Sequence, residues 1–373
     1  MIINDPRLKL FLTKCKTLTG LNKTKNPVSG YALIQSNDGH RVTLTATNLN
    51  STLSMTIIPD VVDHGLPVLI PIAESLKLCK KHGLTIESKN SKPIINGVTF
   101  QNVPTDYQWP ELPQKGHHEQ IGLLDLNAIK KITKVVPFVE KDKKDYRHDT
   151  LSNVALTFDY DSQCKMVATN VHYLTKTEFK MSCKIDFNPP QILIPAKPLE
   201  LFCALKLNEP VTIYLRQGVN KNLVWLCDDT FDLCVTLHNG SYPAWNEVLN
   251  RFCDNTQYQI VCNTRQWIEI LSEFKALSDK DSKLIKFSNG VLSKHDSKTG
   301  ISLSKKVETL KNSHTESLDN IEFGFNGDYL LNFLKTFKDD ECFSIQSKNF
   351  GPEPLVFHKD SQVFVLMPMR LLK

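Results

Sequence analysis

Thr43-Leu44-Thr45-Ala46-Thr47-Asn48 recurs as Lys165-Met166-Val167-Ala168-Thr169-Asn170, which puts Ala-Thr-Asn at residues 46 and 168, 122 positions apart. Further on, Val68-Leu69-Ile70-Pro71 introduces Leu76 and Cys79, and Ile192-Leu193-Ile194-Pro195 introduces Leu199, Phe202 and Cys203; the two prolines are 124 positions apart. Two signals with nearly one offset mark copies of a unit, and they rule out a single continuous core. A fainter third copy is Phe323-Gly324-Phe325-Asn326 ahead of Leu330, Phe333, Leu334 and Phe337 at helical spacing. Each copy should also open on a helix. Residues 6–18 follow Asp5 as N-cap with Pro6 in the first turn, residues 126–136 put Leu126, Ile129, Ile132 and Val136 on one face, and residues 264–277 align Trp267, Ile270, Leu271 and Phe274. Each third therefore reads helix, strands, helix, strands, with boundaries in turn-rich stretches that give units 1–118, 119–252 and 253–373. Strand pairs close the units, as in 223–226 with 231–235 around Asp228 and Asp229.

The remaining composition excludes more than it assigns. At 41% hydrophobic and 23% charged residues the chain is ordinary for a globular protein, and Met1-Ile2-Ile3-Asn4-Asp5 turns polar too soon for a signal peptide. With no apolar run approaching a membrane span, a cytoplasmic protein without a membrane partner is expected. The 10 cysteines hold no C-x-x-C pair, so neither zinc nor a disulfide framework is expected, and most should be small core residues. No Gly-rich phosphate loop, H-E-x-x-H or G-x-S-x-G frame occurs. His117-His118-Glu119 reads as a solvated loop, and His148-Asp149, on an extended segment, would point to opposite faces. Neither catalytic residues, metal nor cofactor is expected. A net charge of +5 permits nucleic-acid binding without requiring it.

The chain ends on an apolar run, 362–366, that leads into Met367-Pro368-Met369-Arg370-Leu371. Pro368 cannot donate a ladder hydrogen bond, so pairing should stop there and leave Met367, Met369 and Leu371 to line a surface. Methionine suits a groove that accepts several ligands. This tail, the Ala-Thr-Asn strands, the Ile-Pro helix starts, Tyr242-Pro243 and the order of elements together resemble the bacterial DNA sliding clamp, the beta subunit of the replicative polymerase. The resemblance implies an α+β fold of three repeated clamp domains, each with two helices and antiparallel sheets, closed into a ring by a head-to-tail homodimer. It also implies a function: a non-catalytic processivity factor that encircles double-stranded DNA without reading its sequence. It would tether the replicative polymerase catalytic subunit, the clamp loader, and repair and translesion proteins that carry clamp-binding peptides.

Site residues follow from the same resemblance. The partner-peptide pocket would take Leu151, Thr169, His172 and Leu174 from the second domain, Pro243 and Val248 from the segment before the boundary, and Met367, Pro368, Met369, Arg370 and Leu371 from the tail. Phe100 and Leu277 occupy positions that resemble the dimer interface. A ring that slides must attract phosphates without base contacts, so lysines should line its helices. Lys130, Lys131 and Lys134 lie opposite the apolar face of 126–136, and Lys77, Lys80 and Lys81 behave likewise on 71–82. Lys9 and Lys16, seven apart, and Lys335 and Lys338 repeat the pattern. The basic loops Lys23 and Lys25, Lys141, Lys143, Lys144 and Arg147, and Lys280 match loops that approach DNA in the family. A lysine run on one helix is usually a solvated face; here it recurs.

The spelling departs from the family at Asn170-Val171-His172-Tyr173, where Gly-His-Arg is usual after Thr-Asp, and at Trp245 and Glu247. Val171 adds a side chain where the position is often bare, which points to a pocket tuned to an altered peptide. Two other readings stay open on the residues: a clamp-like peptide-binding scaffold that is not loaded on DNA, and a nucleic-acid hydrolase, which needs a convergent His/Asp/Glu/Cys cluster that the sequence does not display.

Overall fold

Three short polar residues set the phase of the three opening helices. Asp5 accepts the Arg7 backbone N–H at 2.7 Å, Asp125 that of Ala128 at 2.6 Å and Asn263 that of Gln266 at 3.0 Å, each satisfying a donor the first turn leaves unpaired. The computed structural model describes the chain apart from residues 21–27, 37, 62–65, 80–82, 90–91, 104–108, 114–117, 160–161, 184–190, 209, 219–220, 254–257, 278, 280–282, 313–320, 338–341, 360 and 372–373.

The first repeat runs β1 (Ile2–Asn4), α1 (Leu8–Gly20), β2 (Tyr31–Ser36), β3 (Val42–Thr47), β4 (Ser51–Ile57), β5 (Val68–Pro71), α2 (Ile72–Leu78), β6 (Gly83–Lys89), β7 (Lys92–Ile95) and β8 (Val98–Thr99). The second runs β9 (Glu119–Leu124), α3 (Leu126–Val135), α4 (His148–Leu151), β10 (Asn153–Phe158), β11 (Gln163–Thr169), β12 (Tyr173–Lys180), β13 (Ser182–Cys183), β14 (Gln191–Pro195), α5 (Ala196–Cys203), β15 (Val211–Arg216), β16 (Leu223–Cys227) and β17 (Phe231–Thr236). After α6 (Trp245–Cys253) the third runs β18 (Tyr258–Asn263), α7 (Thr264–Ala276), β19 (Leu284–Ser288), β20 (Val291–His295), β21 (Ser302–Lys306), β22 (Thr309–Asn312), β23 (Glu322–Asn326), α8 (Gly327–Leu334), β24 (Cys342–Ser347), β25 (Leu355–Lys359) and β26 (Gln362–Leu366). The α+β class and the threefold order of elements match the reading of the sequence.

Each second helix starts without a loop. Pro71 and Pro195 stand at the strand-to-helix switch with φ −71° and −52°, and their rings keep the preceding residue extended. The third copy lacks proline, and the Asn326 side chain does the work by accepting from Asp328 and Tyr329 at 3.0 and 3.3 Å.

Two compact units result, one of residues 1–137, 152–164 and 179–240, the other of 138–151, 165–178 and 241–373. In the first, β13-β9-β15-β16-β17-β4-β3-β2-β5 form one antiparallel sheet, with β17 joined to β4 through Phe231 opposite Met55. A second sheet has the order β1-β6-β7-β8. Helix α1 packs on α2 and α5, and α5 on α3; the buried Phe11 and Phe231 rings lie 6.2 Å apart. In the second unit the strands run β12-β26-β25-β24-β18-β22 and β21-β20-β19-β23. Trp267 of α7 bridges these sheets, stacked on Phe287 and Phe325 at 6.2 Å and edge-on to Phe343 at 5.5 Å.

A rule of assembly emerges from the strand partners. The last strand of the second repeat, β17, pairs with the fourth strand of the first, β4; the last strand of the third, β26, pairs with the fourth of the second, β12. The remaining last strand, β8, and the remaining fourth strand, β21, each end a sheet with one edge unpaired among the described residues.

Two local expectations are corrected. His148-Asp149 is not extended but opens the turn of α4, because the Asp145 carbonyl and carboxylate accept the His148 and Arg147 N–H groups at 3.0 and 2.8 Å. The stretch at His118-Glu119 is not a solvated loop: Glu119 begins β9, opposite Leu215, and the His118 ring packs 3.7 Å from that of Trp225; His117 lies outside the described residues. Most of the described cysteines are buried, with Cys342 exposed.

Candidate functional site

The Ala-Thr-Asn repeat is a turn spelled twice. Asn48 Oδ1 accepts the N–H groups of Asn50 and Ser51 at 3.1 and 2.8 Å; Asn170 Oδ1 accepts those of His172 and Tyr173, both at 3.1 Å. Thr47 Oγ1 donates to Ser51 O and accepts from Leu49 N–H, and Thr169 Oγ1 donates to Tyr173 O at 2.5 Å and accepts from Val171 N–H at 3.0 Å. These bonds drive the next residue into the left-handed region, with φ 72° at Leu49 and 75° at Val171. In the third repeat only the side-chain bonds recur: the buried Asp296 accepts from Lys298 and Thr299 at 3.0 and 3.4 Å, and the residue after it is not left-handed.

In the second unit this turn feeds β12 into the C-terminal strand. Tyr173 pairs with Leu366 and Leu174 with Val365, and the Met367 N–H donates to the His172 carbonyl at 2.9 Å. An open cavity of about 250 Å³ forms beside the seam. Its walls are Thr169, Val171, Tyr173 and Leu174 on one side, Val365 and Met367 from the tail, and Pro243 with Trp245, Val248 and Phe252 on one face of α6.

A second cavity of about 480 Å³ is lined by Tyr146, Arg147, Thr150, Leu151, Ser241 and Tyr242. Val171 and Pro243 line both cavities. Arg147 is clasped by Asp145 through Nε at 2.9 Å and a second guanidinium nitrogen at 2.6 Å, and those bonds hold the Asp145 carboxyl down at about 2. The guanidinium also lies 5.2 Å from the centre of the exposed Tyr146 ring. Burial pushes the Tyr173 and Tyr242 phenols above their usual range, so both stay neutral donors.

Of the residues expected in the pocket, Leu151, Thr169, Leu174, Pro243, Val248 and Met367 line these two cavities. His172 lines neither; its ring stacks on Tyr329 at 6.5 Å. Pro368, Met369, Arg370 and Leu371 also lie outside both walls, because the tail crosses β23: the Met369 N–H donates to Gly324 O at 2.8 Å. Gly324 is required there, since a Cβ would stand 2.7 Å from the Met369 carbonyl oxygen and 2.8 Å from Leu371 Cδ2. The sequence reading had no place for α6, although Trp245, Val248 and Phe252 at i, i+3, i+7 after Pro243 would have announced it.

The basic residues differ in their surroundings. In the first unit, Lys9 and Lys16 on α1, Lys77 on α2 and Lys130 on α3 are exposed, while Lys131 and Lys134 are half-buried along the rim of α3. In the second, acids answer the cations: Arg265 pairs with Glu269 at 3.0 Å, Lys275 with Asp328 at 2.9 Å and Lys305 with Glu273 at 3.2 Å. Lys141, Lys143 and Lys144 are exposed ahead of α4, and Arg147, grouped with them by sequence, stands in the second cavity wall. Lys23, Lys25, Lys80, Lys81 and Lys280 lie outside the described residues. Phe100 follows β8 and bonds the Pro93 carbonyl through its N–H at 3.0 Å; Leu277 caps α7 and is 47% exposed. Among the described residues no three His, Cys, Asp or Glu side chains gather as a metal site requires, and no helix is long and apolar enough to cross a membrane.

No protein-family model and no curated protein sequence matches the chain. Solved structures do. The DNA polymerase sliding clamp of Bacillus subtilis superposes with a TM-score of 0.80 at 18% identity, over 100% of this chain and 99% of that one. The DNA polymerase III beta subunit of Thermotoga maritima gives 0.79 at 17% identity over 100% and 99%. The Pseudomonas aeruginosa sliding clamp bound to griselimycin gives 0.76 at 18% identity, again over 100% and 99%. With strands of each repeat divided between two sheets, an opening and a second helix in each, and full-length agreement with these structures, the chain has the fold of the bacterial DNA polymerase III beta sliding clamps.

Proposed function

We propose that the chain is a non-catalytic DNA sliding clamp. Two copies close a ring around duplex DNA, and each tethers the replicative polymerase, the clamp loader, and repair and translesion proteins by a short peptide. In this reading the domains are 1–118, 119–252 and 253–373. The observation that carries it is the unpaired edge of β8 together with that of β21. Both internal seams join a last strand to a fourth strand, so the same rule applied between chains pairs β8 of one copy with β21 of another, head to tail. Such heterologous contacts close into a ring when the rotation per step divides a full turn. Phe100, just past β8, and the exposed Leu277 on α7 would flank that seam.

The lysines of α1, α2 and α3 supply a sequence-independent attraction for phosphate. The apolar cavity, flanked by a more polar one, suits a peptide with aliphatic or aromatic anchors and one polar group. The test is topological. The protein is loaded by its cognate loader onto nicked circular DNA, which is then linearised. Retention on the circle and escape from the linear form are expected; equal loss from both would refute encirclement and leave the peptide-binding scaffold. Ending the chain at Leu366 should abolish binding of partner peptides, and a truncated chain that still binds them overturns the pocket.

A further inference from the structure

We propose that Val171 is a specificity-determining residue: its side chain stands on the wall shared by the two cavities and restricts the ligand residue that crosses between them to one with little side chain. This rests on the peptide-binding reading above. Val171 holds φ 75°, a conformation β-branched residues rarely adopt, and its side chain is 44% exposed, so core burial does not compensate the strain. It cannot swing aside. Its N–H is bound by Thr169 Oγ1 at 3.0 Å, and Asn170 Oδ1 holds the next two N–H groups at 3.1 Å. Branching at Cβ also leaves its χ1 stiff.

Among the described residues the other one common to both walls is Pro243, which is rigid and has no N–H to offer. The Val171 N–H is already taken. A ligand crossing from one cavity to the other therefore meets fixed apolar shape at these two residues and gains no hydrogen bond from their N–H groups. Discrimination by shape against a bulky crossing residue follows, and it works by exclusion rather than by an added attraction. Leu49 makes the same strained turn in the first repeat but lines neither cavity, so it serves as an internal control.

The full chain, Val171→Gly and Leu49→Gly are compared by fluorescence anisotropy with two labelled peptides, Gln-Ala-Gly-Leu-Phe and Gln-Ala-Ile-Leu-Phe. The unsubstituted chain should bind the glycine peptide ~10-fold or more tightly than the isoleucine peptide, the scale of discrimination that a rigid apolar wall supplies. Val171→Gly should bring the two within ~3-fold, mainly by tightening the isoleucine peptide; Leu49→Gly should leave the ratio where it was. Relief of strain alone would move both affinities together. An unchanged ratio in Val171→Gly, equal binding of both peptides to the unsubstituted chain, or a ratio altered by Leu49→Gly overturns the inference. If neither peptide binds either the unsubstituted chain or Val171→Gly, the peptide-binding reading fails and this inference with it.

Discussion

Leu49 and Val171 carry the same backbone strain for the same reason: a buried asparagine and a threonine hydroxyl spend their hydrogen bonds closing the turn around them. A left-handed conformation costs a non-glycine residue about 1–2 kcal/mol, and the greater unfolded-state freedom of glycine gives back about 0.5–1 kcal/mol. Leu49→Gly should therefore raise stability by about 0.5–1 kcal/mol, visible as a higher urea midpoint for the first unit. A second residue-scale prediction concerns Asp145, whose carboxyl the Arg147 guanidinium holds down at about 2. Because the folded value is depressed, the clasp is fully present above the usual carboxylate range of about 4 and is lost as the pH falls toward 2. A carbon NMR titration of Asp145 should find its midpoint well below that of a free aspartate, and a midpoint near 4 would mean that Arg147 is not held. Thr169 and Val171 were singled out from their letters, whereas their joint role was not, because the left-handed φ is a property of the bonded turn.

Among the elements, the opening helices were readable because Asp5, Asp125 and Asn263 cap them and their apolar faces repeat at i, i+3, i+4. The third repeat keeps only the side-chain bonds of the turn, with the Asp296 carboxylate in place of an amide and a longer loop closed by the Asp296 N–H on the Ile301 carbonyl. Helix α6 was overlooked where the aromatic-proline step drew attention to a boundary, and it contributes Trp245, Val248 and Phe252 to the first cavity. Of the tail residues expected at the pocket, Met367 stands in a cavity wall, and the segment beyond it crosses β23 at Gly324. Gly324→Ala should lift that crossing at a cost of about 1–3 kcal/mol, the usual range for overpacking. Amide exchange should report it: the Met369 N–H, bound to Gly324 O, speeds up by about 5-fold or more, while the Met367 N–H, bound to His172 O, is less affected. Unchanged exchange at Met369 would show that the crossing tolerates a Cβ.

At the scale of the molecule, the basic side chains differ in their surroundings. Lys130 is exposed on α3 and Lys134 half-buried beside it, while Arg265, Lys275 and Lys305 each meet a carboxylate. Lys130→Ala combined with Lys134→Ala should shorten retention on circular DNA and lower the salt slope of binding by about 2. Arg265→Ala should leave both nearly unchanged, and the reverse ranking would move the DNA-facing surface to the second unit. The sequence by itself determined that the chain is one unit written three times, because caps, apolar periods and strand-ending prolines act over a few neighbouring residues. Only the tertiary structure decided where the cavities lie and which repeats share a sheet. Leu174 meets Val365 and Phe231 meets Met55 through ladder hydrogen bonds between backbones far apart in the chain, and backbone groups are the same in every residue, so no letter records their partners.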